Sequence, residues 1–191
     1  MNSKDREKLK IVNMVASADL SVEIDIDKFA RTSENVEYEP EQFPGAIIRY
    51  TNPRTTVLLF RNGRIVIVGS KSQNDIKETI VQLVNDLNAR GVIRSNTTLT
   101  ADTIKYNIPN YVALGELEFS IDLDNLLTDP DLNLEYEPEQ FPGIMIWIDK
   151  YNSTALVFRN GKIILSGNRD IESMNRSFSY LKEVLNKYRL N

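Results

Sequence analysis

Carboxylates are the side chains in this 191-residue chain that could do acid–base work, because it has no His and no Cys. That composition excludes imidazole bases, thiol nucleophiles, disulfides and zinc sites built from those residues. The acids are concentrated in two places. Eight lie between Asp19 and Glu41 against only Lys28 and Arg31, and nine lie between Glu116 and Glu139 with no base among them. Paired carboxylates could serve as general acid and base or hold Mg²⁺. Nothing in the sequence sets a nucleophile, a substrate pocket or a phosphate loop beside them, so the expectation is a non-enzyme without cofactor or metal.

Positive charge is segregated in the same way. Arg49, Arg54, Arg61, Arg64 and Lys71 fall between Ala46 and Lys71 without an acid. Lys150, Arg159, Lys162 and Arg169 follow Ile144 against only Asp149. The pattern reads either as solvated acidic helices beside a mixed sheet or as two surfaces for two kinds of partner. The overall charge of −4 conceals it.

The phrase "EYEPEQFPG" stands at Glu37–Gly45 and again at Glu135–Gly143. "FRNGRIVIVGS" from Phe60 and "FRNGKIILSGN" from Phe158 repeat at the same spacing of 98 residues. The chain is thus a tandem duplication, divided here into residues 1–95, with a short N-terminal extension, and 96–191. Each repeat predicts an opening strand (11–18; 110–119), a short acidic helix (26–32; 123–127) and short β-branched strands, exemplified by 46–50, 55–60 and 64–68. Asn-Gly in each "RNG" suits a tight hairpin. A long amphipathic helix closes each repeat, over 74–90 and 171–189. Two such helices cover one face of about ten antiparallel strands. The other face carries an apolar set as well, Leu58 and Phe60 opposite Val57 and Leu59, and so requires a partner. From the residues alone, the four Phe of the repeated phrases read first as hairpin core.

These residues resemble the TATA-box-binding protein family over nearly the whole chain from Lys10. The resemblance rests on "YEPEQFPG" in both halves, on the two "FRNG" strands, and on Asn-x-Val in "NMV" and "NYV". It implies an α+β tandem-repeat saddle, with a curved antiparallel sheet on the DNA minor groove and helices on the convex back. It further implies wedges from Phe43 with Phe60 and from Phe141 with Phe158. Asn13, Val15, Leu58, Val66 and Val68 would meet the groove, as would Asn110, Val112, Leu156, Ile164 and Ser166. Arg49, Arg54, Arg64 and Lys162 would lie near the DNA backbone. The partners implied are double-stranded TATA promoter DNA, a B-type initiation factor at Glu137 and Glu139, and RNA polymerase indirectly. Glu39 and Glu41 are the first-repeat counterparts of those acids; the residues alone read as a solvated loop.

Three features depart from the family. Val68 and Ser166 stand where Thr is usual, Trp147 and Asn152 where Arg and Lys are usual, and Tyr151 where Pro is usual. They leave a second reading open, a diverged paralogue that acts mainly through protein contacts. The charged N-terminus lacks the apolar stretch of a signal peptide, and no apolar run reaches the roughly 20 residues of a membrane span. With no low-complexity tail, the chain looks archaeal. The expected location is cytoplasmic and nucleoid-associated, or nuclear in a eukaryote, without a membrane partner.

Overall fold

Five strands and two helices build each repeat. The computed structural model describes residues 9–95, 97–139 and 141–190, so residues 1–8 of the expected short N-terminal extension lie outside the described residues. In chain order the elements of the first repeat are β1 (Leu9–Asp19), α1 (Ile26–Arg31), β2 (Val36–Glu37), β3 (Ala46–Thr51), β4 (Arg54–Leu59), β5 (Arg64–Ser70) and α2 (Gln73–Arg90). Those of the second are β6 (Tyr106–Glu116), α3 (Leu123–Leu126), β7 (Asn133–Glu135), β8 (Ile144–Ile148), β9 (Ser153–Val157), β10 (Lys162–Asn168) and α4 (Ile171–Leu185). Compact packing gathers residues 13–109 into one unit, and 9–12 with 110–190 into another.

Within the first repeat the strand order is β2-β3-β4-β5-β1, and within the second it is β6-β10-β9-β8-β7. The pairs are antiparallel. Period-two alternation then divides each sheet into two faces. One face carries Ala16, Ile48, Val57, Leu59, Ile65 and Ile67, each at most 1% exposed. The long helix lies on this side, turning Ile76, Ile80, Leu83, Val84 and Leu87 inward from α2, and Met174, Phe178, Leu181 and Leu185 from α4. Both apolar stripes are those that the helical period predicts. A hydroxyl pair is buried at the same place in each interface: Thr55 with Thr79 at 2.8 Å, and Ser153 with Ser177 at 3.0 Å. Each hydroxyl thereby has a partner where water cannot reach it.

The largest differences from the expected element boundaries are in β6 and α4. Strand β6 opens at Tyr106 rather than 110, running through Pro109, which lacks an N–H donor. Helix α4 ends at Leu185 and tightens into a 3-10 turn, Asn186–Tyr188. The tail is drawn off the helix axis by Asp122 N–H donating to Tyr188 O (2.8 Å) and Leu190 N–H donating to Ser120 O (2.9 Å). Strands β2 and β7 have only two and three residues, too few to show an alternation.

A candidate nucleic-acid interface

The face away from the helices carries the residues of interest. In the first repeat the register aligns Ser17, Val66, Leu58 and Ile47 in one row across the strands, and Val68, Thr56 and Arg49 in the next. In the second repeat the rows are Leu114, Ile164, Leu156 and Met145, then Val112, Ser166, Thr154 and Trp147. Most of these side chains are half-buried, and Leu114 is 43% exposed. The sequence reading had named Leu58, Val66, Val68, Val112, Leu156, Ile164 and Ser166. Ser17, Ile47, Thr56, Met145, Thr154 and Leu114 share their face and were not among them. Stepping by two from Leu58 and Leu156 and reading across the ladder would have found them.

Each repeat brings its two Phe together. The ring centroids of Phe43 and Phe60 are 5.7 Å apart at 62°, and those of Phe141 and Phe158 are 5.5 Å apart at 64°. Edge-to-face pairing of this kind suits the charge distribution of the rings. Phe60 and Phe158 stand at the tight "RNG" turns, where Gly63 N–H donates to Phe60 O and Gly161 N–H to Phe158 O, both at 2.9 Å. Phe43 and Phe141 are anchored by their own N–H groups on Glu39 O (3.0 Å) and Glu137 O (2.9 Å). One loop thus holds a Phe and displays exposed Glu39, Glu41, Glu137 and Glu139. The glycine of "FPG" completes the arrangement. A Cβ on Gly45 would stand 2.8 Å from the Phe43 ring and 3.1 Å from Phe60; on Gly143 it would stand 3.0 Å from Phe141 and 3.1 Å from Phe158. The pair can close over this position only because no side chain is there.

The two asparagines are fixed in one orientation. Asn13 Oδ1 accepts from Gly69 N–H at 2.8 Å, and Asn110 Oδ1 accepts from Gly167 N–H at 2.9 Å. Both glycines have positive φ, +90° and +95°, beside a β-bulge that takes their N–H out of the ladder. With Oδ1 occupied, the Nδ2 group of each Asn remains as a pair of donors without a partner among the described residues.

The basic candidates divide. Arg54, Arg64 and Lys162 are exposed, on strand positions of the same parity as the open face, and have no ion-pair partner among the described residues. Arg64 lies across the ladder from Asp19, and Lys162 from Glu116. Arg49 is already engaged, its Nη1 2.6 Å from Glu37 Oε2. Beside Phe60 and Arg64 lies an open hollow of about 950 Å³ that Ser17, Val66 and Lys105 also line. Arg61 pairs with Asp27 (2.9 Å) and Arg159 with Asp124 (3.0 Å), the same bridge in both repeats. Hydrogen bonding to Arg61 holds the Asp27 carboxyl below the usual carboxylate range. Among the described residues no group of three or more acidic side chains gathers closely enough to hold a metal ion, and no helix is long and apolar enough to cross a membrane.

An antiparallel sheet built twice, covered by helices on one side and presenting apolar rows, amide donors and aromatic pairs on the other, defines a tandem-repeat α+β class of protein. A family profile described as "Transcription factor TFIID (or TATA-binding protein, TBP)" matches residues 8–89 and 105–188. The chain is 34% identical over 184 residues to the TATA-box-binding protein of Thermoplasma volcanium, covering 96% of this chain and 97% of that one. To the TATA-box-binding protein of Pyrococcus horikoshii it is 36% identical over 184 residues, covering 96% and 92%. The solved structure titled "Methanococcus jannaschii TBP" superposes with a TM-score of 0.82 at 31% identity, covering 94% of this chain and 99% of that one. This chain belongs to the TATA-binding protein family and has its α+β tandem-repeat fold.

Proposed function

We propose that this protein is a transcription initiation factor that lays its open sheet face in the minor groove of A·T-rich promoter DNA and bends it with two Phe wedges. The observation that carries this reading is the pair of edge-to-face Phe in each repeat, seated over a glycine beside half-buried apolar rows. TATA-binding proteins are themselves the type case of apolar wedges that unstack base steps from the minor groove. The asparagines add the second support. A·T pairs offer only acceptors there, adenine N3 and thymine O2, and Asn13 and Asn110 present only Nδ2 donors. Arg54, Arg64 and Lys162 supply phosphate contacts that position the duplex without reading it. Glu137 and Glu139, exposed on the loop that holds Phe141, dock a B-type initiation factor, which in turn brings RNA polymerase. The protein acts as a nucleoid-associated factor of the archaeal type.

A bending assay on a TATA duplex tests the proposal. Phe43→Ala with Phe141→Ala should abolish the bend while thermal unfolding stays cooperative. A normal bend in that variant removes the wedge role. A second reading, a paralogue working mainly through proteins, draws on Trp147, which stands where the first repeat has Arg49. Tight factor binding without measurable DNA binding would favour it.

A further inference from the structure

The second repeat has a cleft that its own duplicate explains. In the first repeat Tyr50 reaches from β3 to α2, and its hydroxyl donates to Asp86 Oδ2 at 2.9 Å. Burial, with the Asp86 carboxylate beside it, raises the Tyr50 hydroxyl pKa. Next to this pair Gln82 Nε2 donates to Asn52 O at 2.6 Å. At the same repeat spacing, Ile148 replaces Tyr50, Val184 replaces Asp86 and Tyr180 replaces Gln82. Two aliphatic side chains now stand where a phenol reached a carboxylate. Tyr180 turns to Tyr151 instead, edge to face at 6.0 Å. The result is a cleft of about 190 Å³ lined by Ile148, Val184, Tyr180, Trp147 and Leu132.

That volume is below the roughly 300 Å³ at which small-molecule sites begin. It suits one aliphatic or aromatic side chain, the form a buried anchor takes at a protein interface. Asp131 and Asp149 stand at its rim, and neither carboxylate has an ion-pair partner among the described residues. Lys150, also at the rim, sits over the Tyr151 ring at 5.4 Å. The lining thus carries two acids, Asp131 and Asp149, against one base, Lys150. The geometry points to a docking site, built against α4 and sharing Trp147 with the open face, for a partner-protein segment that inserts one large apolar side chain flanked by Lys or Arg. Charge complementarity of this sort guides encounter and register.

Panning a random dodecapeptide display library on the full chain tests this, with Ile148→Tyr/Val184→Asp as counter-target to restore the first repeat's pair. Enriched peptides should carry a Leu, Ile, Met, Phe or Trp between basic residues. As synthetic peptides they should bind the wild type at least tenfold more tightly than the filled variant. Should that variant fail to unfold cooperatively, Tyr180→Gln and the surface double variant Asp131→Lys/Asp149→Lys carry the same comparison. Peptides without the basic-apolar signature, or equal binding to all forms, overturn the proposal. So does self-association of the wild type that filling the cleft abolishes, since the occupant is then a second copy. TATA-duplex binding should be unchanged in Tyr180→Gln and in the filled variant, which separates this site's role from that of the DNA face.

Discussion

The two repeats agree at one set of positions and diverge at another. Both seat a Phe pair over a glycine, fix an Asn on a bulge glycine, bridge an Arg to the acid of the short helix, and bury a hydroxyl pair under the long helix. They differ where Arg49 pairs with Glu37 in one and Trp147 stands in the other, where Ser17 in the first corresponds to Leu114 in the second, and where Tyr50–Asp86 becomes Ile148–Val184. The shared set is what either repeat needs to shape one surface; the divergent set is not part of that requirement. A duplicated chain is thus its own control. A substitution at a shared position should act alike in both repeats, and one at a divergent position should not.

The largest expected effect tests the shared set. Neither Gly45 nor Gly143 has a positive φ, so the backbone at each accepts other residues and the constraint is the ring contact. Gly45→Val and Gly143→Val should each displace a Phe pair. Each should weaken TATA-duplex binding by about 2–3 kcal/mol, roughly 30- to 150-fold. Unequal losses in a direct titration would show that the two wedges are not equivalent despite their matching geometry.

The asparagines come next. Asn13→Asp and Asn110→Asp keep the acceptor for the bulge N–H and remove the donors. Affinity should fall by on the order of tenfold in either repeat, with thermal unfolding nearly unchanged. Asn→Ala at the same positions also removes the bond to the exposed Gly69 or Gly167 N–H, and should lower stability by about 0.5–1 kcal/mol in addition. If the Asp variants bind as the wild type does, the amide donors are not reading base acceptors.

A smaller effect probes the divergent set through salt. Each phosphate contact contributes a slope of about −0.9 to log K against log salt concentration. Trp147→Arg should steepen that slope by about 0.9 if the vacant position meets a phosphate. Arg49→Ala should change it by less, because the guanidinium already shares Glu37 at 2.6 Å. Equal changes from the two substitutions would mean that the Arg49–Glu37 pair opens on DNA.

How legible these features are depends on how local their causes are. The repeat, the hairpins and the helical stripes are written in short-range pattern, and "RNG" specifies its turn within three residues. The Phe pairs followed from the family resemblance, since ring contact joins residues 17 apart in each repeat. The role of Gly45 and Gly143 was not legible, because it depends on how closely two rings approach in space. The Arg49–Glu37 bridge needs the register of β2 on β3, and β2 is too short to announce itself. The cleft beside Val184 was not legible either, because Ile148 and Val184 lie on separate elements that come together only in the fold.

The smallest expected effect concerns how each long helix begins. Ser72 and Asp75 cap α2 reciprocally: Ser72 Oγ accepts from Asp75 N–H at 3.1 Å, while Asp75 Oδ2 accepts from Ser72 N–H at 3.1 Å and from Lys71 N–H at 2.7 Å. Helix α4 has one such bond, Asp170 Oδ1 accepting from Ser173 N–H at 2.7 Å. Asp75→Ala should therefore lower stability by about 1 kcal/mol, or Tm by roughly 2–4 °C. The Lys71 backbone N–H, then the Ser72 hydroxyl, hold the Asp75 carboxyl below its ordinary value of 3.8. A folded-state pKa below the unfolded one stabilises the fold above the unfolded value, and that contribution is lost as pH falls through the folded one. The Tm gap between wild type and Asp75→Ala should hence be constant near neutrality and shrink only below about pH 3.8. A gap that persists at lower pH would assign the loss to packing rather than to the charged cap.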